Sequence, residues 1–347
     1  MGPRAEREGA PYSPEELDAT GASIAAIQSP DGMIPWFENG HADPWNHVEA
    51  AMALTATGRH DASEAAYSWL ASVQREDGSW HAHYGDGGTV EEERLDTNVT
   101  AYVATGVRHH HLATGDDGFL EQMWPVVEAA LEWVLRWQQP GGELAWAVSP
   151  SGVPIDAGPP GRAIGAVALL TASSSVCTSL RAGIACARAC DLERPAWERA
   201  LARLVDAIAS RPSAFAPKPE FAMDWYYPVL AGALDPLRSD RRIERGWPTW
   251  VVADRGVRCR SDGAWVTTAE TAECAIACAR IGRTEDASRL LGWTRAHRQP
   301  DGSFATGLVH PDGTEFPPGE RSTYSGAAVV LAADLLARSP ATVDVFG

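Results

Sequence analysis

The sequence predicts an all-α protein, a single α6/α6 toroid in which six inner helices are surrounded by six outer helices. Three observations support this fold class. Helical patterns alternate between apolar and amphipathic character, a short turn motif recurs between them, and no stretch keeps the period-two alternation of a β-strand. Helices that are apolar on nearly every side belong in the interior, whereas amphipathic helices lie outside. Strict alternation therefore predicts two concentric rings.

In the recurring turn, a glutamine is followed within a few residues by a glycine and then by an aromatic residue. The residue before the glycine is usually aspartate. Copies begin at Gln28, Gln74 and Gln138, a fourth begins at Arg298, and residues 262–265 form the remnant of a fifth. Glycine accepts the left-handed conformation that ends a helix, and aspartate before glycine favours a tight turn. The motif is therefore specific for architecture and contributes no chemistry of its own.

The helices can be placed in chain order from their start signals and periodicity. Ser13 and Pro14 begin the first outer helix, Asp43 precedes the first inner helix, and residues 267–270 form a capping box. The predicted inner helices span 45–57, 96–112, 175–190, 221–234, 267–280 and 322–337. The predicted outer helices span 13–28, 61–73, 116–137, 195–210, 241–252 and 285–298. Residues 141–171, rich in glycine and proline, carry no helical pattern before the third inner helix begins.

Length and composition limit the domain organisation and the classes of partner. No linker divides the 347 residues, so we expect one domain at 13–347 after a disordered segment at 1–12. The net charge of −17 argues against nucleic acid and anionic membrane surfaces. No apolar run resembles a signal peptide or membrane span, which predicts a cytoplasmic protein. The six cysteines fit reduced core residues, and the sequence identifies no metal site, no cofactor and no oligomeric state.

The chemistry is expected at the mouth of the barrel, where the N-termini of the inner helices meet. These helix ends carry unpaired N–H groups and a partial positive charge. Carboxylates among aromatic rings there predict a cavity for a small-molecule substrate, with carboxyl groups available for acid/base chemistry. The candidate catalytic residues are Asp43, Asp96, Asp224 and Glu270. The candidate substrate-binding residues are Trp36, Trp45, His47, Arg181, Trp225, Tyr226, Tyr227, Trp265 and Tyr324.

Several of these candidates also have a purely structural interpretation. Asp43 and Asp96 stand where helix N-caps stand, and Glu270 fits the capping box. His47 fits a core histidine with both ring nitrogens bonded. Asp224 differs, because it lies in an apolar, aromatic run where burial of a carboxylate without a partner is costly. We therefore expect Asp224 to be functional.

The recurring turns resemble the QW repeats of terpenoid cyclase and prenyltransferase toroids. The chain as a whole is similar to actinobacterial proteins labelled prenyltransferase. This resemblance implies an enzyme that acts on an isoprenoid or similar hydrophobic substrate by acid/base or carbocation chemistry. The chain lacks the Asp-x-Asp-Asp motif of squalene-type cyclases and the zinc-binding Asp, Cys and His of protein prenyltransferases. The resemblance thus concerns architecture more than catalytic residues.

A second resemblance covers about 20 residues. Residues 112–133 are similar to a helix of six-hairpin glycosidases such as the glucoamylase-like families. It implies a carbohydrate-active hydrolase, lyase or epimerase that uses paired carboxylates on the same barrel. The first expectation is therefore an isoprenoid-acting enzyme, with a carbohydrate-active enzyme as the alternative. A toroid that binds or scaffolds without catalysis is the third possibility.

Overall fold

The structure, a computed structural model, describes residues 10–155 and 167–347. Most of these residues are helical. The helices are α1 (Pro14–Ala26), α2 (Pro44–Ala56), α3 (His60–Ser72), α4 (Thr97–Ala101), α5 (Val103–Thr114), α6 (Asp117–Leu135), α7 (Leu170–Ala189), α8 (Pro195–Ser210), α9 (Met223–Leu230), α10 (Pro236–Trp250), α11 (Thr268–Arg280), α12 (Thr284–Trp293), α13 (Thr323–Leu336) and α14 (Pro340–Phe346). The strands are β1 (His83–Tyr84), β2 (Val90–Glu92), β3 (Leu95–Asp96), β4 (Ala147–Val148), β5 (Val251–Val252), β6 (Gly256–Arg258), β7 (Trp265–Thr267) and β8 (Gly307–Val309).

Six inner helices form a closed ring. The ring runs α2, α5, α7, α9, α11 and α13, with α4 as a short first part of α5, and α13 packs back against α2. Helices α1, α3, α6, α8, α10 and α12 lie outside this ring, each against its inner neighbours. The predicted all-α fold, an α6/α6 toroid, is therefore confirmed.

Local sequence signals account for where several helices begin. Ser13 and Glu16 form a capping box, in which the Glu16 N–H donates to the Ser13 hydroxyl at 3.2 Å. Asp235 caps α10, because its carboxylate accepts the N–H of Arg238 at 2.9 Å. This cap starts the helix at Pro236, five residues before the start predicted from periodicity.

The recurring turns connect one hairpin to the next. Gln74 Nε2 donates to the carbonyl oxygens of Gly78 and of Val126 in α6, both at 3.0 Å. Gly78 has a φ of +96° and lies so close to α6 that a Cβ atom would collide with its backbone. Gln28 and Gln138 make the equivalent contacts, each with the glycine of its own turn and with the next outer helix, α3 for Gln28 and α8 for Gln138. The motif therefore fixes the spacing between successive outer helices.

Short strands, which the sequence pattern did not predict, hold the N-termini of inner helices at one end of the barrel. Strands β5, β6, β7 and β8 form an antiparallel sheet in that order, and β3 pairs with β4. Strand β3 ends at Asp96 immediately before α4, and β7 ends at Thr267 immediately before α11. The strands thereby place two candidate site segments at the mouth.

The chain ends and the glycine-rich segment complete the description. Residues 1–9 of the predicted disordered segment and residues 156–166 lie outside the described residues. Tyr12 is buried, and its hydroxyl lies 2.7 Å from the hydroxyl of Thr294, so packed structure begins before Ser13. No helix in the two described ranges is long and apolar enough to span a bilayer.

Candidate active site

A cavity of about 430 Å³ opens at the mouth of the barrel, between the N-terminal ends of α2, α4, α7 and α9. Three predicted catalytic residues and three predicted binding residues line it, namely Asp43, Asp96, Asp224, Trp36, Trp45 and Tyr227. Arg94, Asn98, Trp146, Thr171, Lys218 and Phe221 also contribute to its wall. Ring closure therefore brings together side chains that are up to about two hundred positions apart in the sequence.

Asp43 both caps α2 and faces the cavity. Its Oδ1 accepts the backbone N–H of Asn46 at 2.9 Å, and its Oδ2 accepts the Asn46 side-chain amide. Burial raises the pKa of Asp43, and the hydrogen bonds from Asn46 oppose this shift. Within the described ranges, no arginine or lysine forms an ion pair with this carboxyl group. The site thus favours a proton on Asp43 more than water would, as suits a general acid.

Asp96 is held by an ion pair. Arg94 makes two contacts with its carboxylate. Arg94 Nε lies 2.8 Å from Oδ1, and one terminal nitrogen lies 3.2 Å from Oδ2. Burial raises the pKa of Asp96, while the Arg94 guanidinium works against that rise. Asp96 makes no side-chain hydrogen bond to the N–H groups of α4, so the N-cap interpretation is wrong for its carboxylate. The Arg94 guanidinium also lies over the Trp146 ring, 5.2 Å from its centroid.

Asp224 joins α9 to the start of α7. Its Oδ1 accepts the Thr171 hydroxyl at 2.6 Å and the Thr171 backbone N–H at 3.3 Å. Burial raises the pKa of Asp224, and the donors of Thr171 and the charge of Arg242 lower it again. Asp224 is thus a positioned carboxylate with hydrogen-bond donors that stabilise its ionised form.

Aromatic rings and polar atoms without partners complete the cavity wall. Trp45 lies edge-on to Tyr324, and their ring centroids are 5.3 Å apart. The ring centroids of Trp45 and Tyr227 are 6.3 Å apart. Three buried polar atoms in the wall lack a hydrogen-bond partner among the described residues: Trp36 Nε1, Asn46 Oδ1 and Asn98 Oδ1. Because buried polar groups normally have partners, these atoms mark places in the wall where hydrogen-bonding capacity is left unused by the described residues.

Two predicted binding residues, His47 and Arg181, lie away from the cavity. His47 Nδ1 accepts the N–H of Ile34 at 3.0 Å, and its Nε2 lies 2.9 Å from the carbonyl oxygen of Ala66. Burial lowers the pKa of His47 to about 4, so it is a neutral core histidine. Arg181 donates to two carbonyl groups at the C-terminal end of α9, the end of the barrel opposite the mouth. Neither of these two residues lines the cavity.

The predicted binding residues Trp225 and Trp265 also face away from the cavity. Trp225 Nε1 donates to the Arg242 carbonyl at 2.8 Å, and its ring stacks on Trp250, so it faces α10. Trp265 packs edge-on against Phe316, with ring centroids 4.6 Å apart. Adjacent positions on a helix point in different directions, which explains why Trp225 turns outward while Asp224 lines the cavity.

Glu270, Tyr226 and Tyr324 stand close to the mouth without lining the cavity. Glu270 is half-buried, and its carboxylate accepts the Thr267 hydroxyl. The Tyr226 hydroxyl donates to Glu273, and Tyr324 lies behind Trp45 as part of the aromatic packing.

Two further carboxyl groups, beyond the four candidate catalytic residues, lie inside the barrel, and sequence reasoning missed Glu273. Glu49 accepts the Tyr102 hydroxyl at 3.2 Å, and Glu273 accepts the hydroxyl of Tyr226. Both glutamates lie deep in their inner helices, and burial raises the pKa of Glu49 to about 8 and that of Glu273 well above its usual range. A glutamate among small apolar residues is the signal that could have revealed Glu273, since such burial demands a partner.

Comparison with known proteins identifies the kind of enzyme. No family model matches the chain. The chain is 45% identical over 334 residues to the MMP endo-(1,4)-3-O-methyl-α-D-mannosidase of Mycolicibacterium hassiacum, an alignment that covers 96% of this chain and 89% of that protein.

Solved structures share the fold at low sequence identity. A glycosidase variant in complex with glucose matches with a TM-score of 0.72 and 15% identity, covering 93% of this chain and 96% of that one. A mannosylglycerate hydrolase from Thermus thermophilus, solved with Tris and D-glycerate, matches with a TM-score of 0.66 and 14% identity, covering 91% and 99% of the two chains. A D-mannose isomerase matches with a TM-score of 0.67 and 11% identity, covering 94% and 96%.

These findings correct the functional expectation. The protein is a glycosidase-like enzyme, and the prediction of a terpenoid cyclase or prenyltransferase that acts on isoprenoids is wrong. The recurring turn misled because it specifies how helices are spaced in a toroid, whatever reaction the toroid supports. The weaker resemblance at residues 112–133 pointed in the right direction.

Proposed function

The chain belongs to the family of the MMP endo-(1,4)-3-O-methyl-α-D-mannosidase, and on this premise we propose that it is a glycoside hydrolase that cleaves internal α-(1,4) bonds between 3-O-methylmannose units. The observation that carries the proposal is the barrel-mouth cavity, in which separate carboxyl groups stand among aromatic rings. Glycosidases need this combination, an acid for the leaving oxygen and a second carboxylate for the other face of the sugar.

Asp43 and Asp224 are the proposed acid/base pair. Asp43 is the general acid, because burial favours its protonated form and no arginine or lysine among the described residues is paired with it. Asp224 is the general base, because two donors from Thr171 stabilise its charged form. As a base, Asp224 would take a proton from the attacking water while Asp43 protonates the departing oxygen.

The positions of these two residues in the ring favour inversion of the anomeric configuration. Helices α2 and α9 are three places apart in the ring of six inner helices whichever way they are counted. The two carboxylates therefore approach the substrate from opposite sides of the mouth. Inverting glycosidases separate their carboxyl groups by about 6.5–9.5 Å to admit a water, whereas retaining enzymes hold them about 5 Å apart.

The other lining residues suit a methylated mannoside. Trp36, Trp45 and Trp146 offer apolar faces for sugar C–H groups and for a methoxy group. Asn98 and Thr171 add polar side chains to the same wall. The ion pair between Arg94 and Asp96 would hold further hydrogen-bonding groups in fixed positions beside the sugar.

The test is hydrolysis of a defined oligosaccharide. Purified protein is incubated with an α-(1,4)-linked oligomer of 3-O-methylmannose and, in parallel, with the unmethylated oligomer. We expect internal cleavage of the methylated oligomer, detected by mass spectrometry, and inversion, detected by proton NMR of the first product formed. Absence of cleavage, or removal of single sugars from one end, would contradict the proposal.

A further inference from the structure

A second groove adjoins the active-site cavity. It has a volume of about 730 Å³ and lies between α10, the end of α8 and residues 212–221. It shares Lys218, Phe221 and Asp224 with the cavity, so the two compartments lie side by side. We call it the α10 groove.

The α10 groove is basic in a protein that is otherwise acidic. The chain has a net charge of −17. Among the described residues, the groove is nevertheless lined by five cations, Lys218, Arg238, Arg241, Arg242 and Arg245, and by one carboxylate, Asp224. Positions three and four apart lie on the same face of a helix, so the four arginines of α10 present their charges together.

Two of the five cations have protein partners. Arg238 forms an ion pair with Asp235 at 3.2 Å. Arg242 is half-buried, and its guanidinium donates to the backbone carbonyl oxygens of Asp224 and Trp225. Arg242 thus fastens α10 to the start of α9 and holds the groove beside Asp224.

The remaining three cations have no acceptor for their side chains within the described ranges. These are Lys218, Arg241 and Arg245. Arg241 and Arg245 are exposed on adjacent turns of α10. Like charges at this spacing repel one another, and this repulsion would be relieved by an anion between them. Two guanidinium groups on one helix face match the oxygens of a carboxylate or phosphate.

We propose that the α10 groove is a subsite for an acid group, a carboxylate or a phosphate, carried by a saccharide whose sugar units lie in the active-site cavity. Arg241, Arg245 and Lys218 hold the acid group. Phe221 and Asp224 lie where the two compartments meet. The saccharide part of this inference rests on the proposed function, whereas the binding of an anion in the groove does not.

Binding is measured by calorimetry with three probes. The first probe is α-(1,4)-mannotriose, the second is the same trisaccharide with its reducing end oxidised to the aldonic acid, and the third is inorganic phosphate. The protein carries Asp43→Asn so that the saccharides stay intact. The test variant adds Arg241→Gln and Arg245→Gln. The control variant adds Arg338→Gln, which removes one exposed positive charge beyond the C-terminal end of α13, at the other end of the barrel.

We expect the aldonic acid to bind at least about tenfold more tightly than mannotriose, because charge-assisted hydrogen bonds are stronger than neutral ones. The double arginine variant should lose this advantage and leave the affinity for mannotriose unchanged, while Arg338→Gln should retain it. If phosphate binds in an arginine-dependent way and the aldonic acid gains nothing, the groove holds a separate anion and the acid group does not come from the saccharide. Equal affinity for the two saccharides together with no binding of phosphate would overturn the proposal.

Hydrolysis and calorimetry together separate this inference from the proposed function. If the wild-type enzyme hydrolyses no α-(1,4)-mannoside, the proposed function fails. Arginine-dependent binding of phosphate in calorimetry would still support an anion site in the α10 groove. If hydrolysis succeeds and neither acidic probe depends on Arg241 and Arg245, the function stands and the anion site fails.

Discussion

Two sets of carboxyl groups lie along the same barrel, one at its mouth and one in its interior. Asp43 and Asp224 stand in the first turn or at the cap of their helices and face a cavity. Glu49 and Glu273 stand farther along their helices and face tyrosine hydroxyls. Burial raises the pKa in both sets, so a raised pKa alone does not distinguish a catalytic carboxyl group from a structural one.

The difference between the sets lies in what each group contacts. The mouth carboxyl groups combine hydrogen bonds from the protein with a surface open to a ligand. Each interior carboxyl group is enclosed and bonded to an aromatic hydroxyl, which satisfies it within the core. Access to a ligand, combined with a positioned partner, is therefore the better guide to catalysis. Four experiments can break or sharpen this comparison.

The largest effect is expected at the mouth. Asp43→Asn and Asp224→Asn should each lower kcat/KM for the mannoside by about 10²–10⁴-fold, the contribution of a positioned acid or base. Asparagine caps a helix as well as aspartate does, so the free energy of unfolding of Asp43→Asn should change by less than about 1 kcal/mol. Initial rates and urea unfolding measure the two quantities.

Asp18→Asn is the matched control for these two variants. Asp18 is an exposed carboxylate on α1 that is paired with Arg59. Its replacement should change neither activity nor stability beyond a few tenths of a kcal/mol. Near-normal activity in both Asp43→Asn and Asp224→Asn would remove the distinction between the mouth and the interior.

In the interior, removal of a carboxyl group should mainly affect stability. Glu273→Ala leaves the Tyr226 hydroxyl without its acceptor and opens a cavity, so the free energy of unfolding should fall by about 3 kcal/mol. Glu273→Gln retains an acceptor of the same size and should cost less. Urea unfolding compares the two variants. A loss below about 1 kcal/mol for the alanine variant would show that the interior group is not a structural partner.

The interior set should also make stability depend on pH. The folded protein keeps the proton of Glu49 up to a pH of about 8, whereas the unfolded chain releases it near the ordinary value of 4.5. Between these values the unfolded state binds fewer protons, so stability is fully present at low pH and falls as the pH rises. The slope should approach about 1.4 kcal/mol per pH unit for each such carboxyl group. Urea midpoints across this range should flatten in Glu49→Gln, and an unchanged slope would contradict the assignment.

The smallest effect is expected at Glu270, which lies between the two sets. It is half-buried and accepts the Thr267 hydroxyl without lining the cavity. With Asp224 as the base, Glu270→Gln should lower kcat/KM by less than about tenfold, below the contribution of a catalytic base. A loss as large as that of Asp43→Asn, with Asp224→Asn nearly active, would transfer the role of base to Glu270.

Much of the fold was predictable because its signals are local. The alternation of apolar and amphipathic helices required only residues within one or two turns of each other, and so did the capping box at Ser13 and the cap at Asp43. The same holds for the recurring turns, although their resemblance to QW repeats pointed to the wrong chemistry. The short strands were not predictable, because two or three residues are too few to show a period.

The candidate site was predictable only in part. The expectation that inner-helix N-termini carry the site was enough to select Asp43, Asp96 and Asp224. It did not show that Arg181 lies away from the cavity, because the depth of a residue along a helix follows from where that helix begins. Helix α7 starts at Leu170, five residues before its predicted start, which places Arg181 about three turns inside the barrel.

The sequence by itself determined the class of fold, the order of its helices and the end of the barrel where carboxylates collect, because periodicity and caps act over a few residues. Only the tertiary structure decided which carboxyl groups share a cavity and which are enclosed by tyrosines. Glu273 and Tyr226 are 47 positions apart, and Asp224 and Thr171 are 53 apart. Their contacts exist only because the ring of inner helices closes, and no local pattern records that closure.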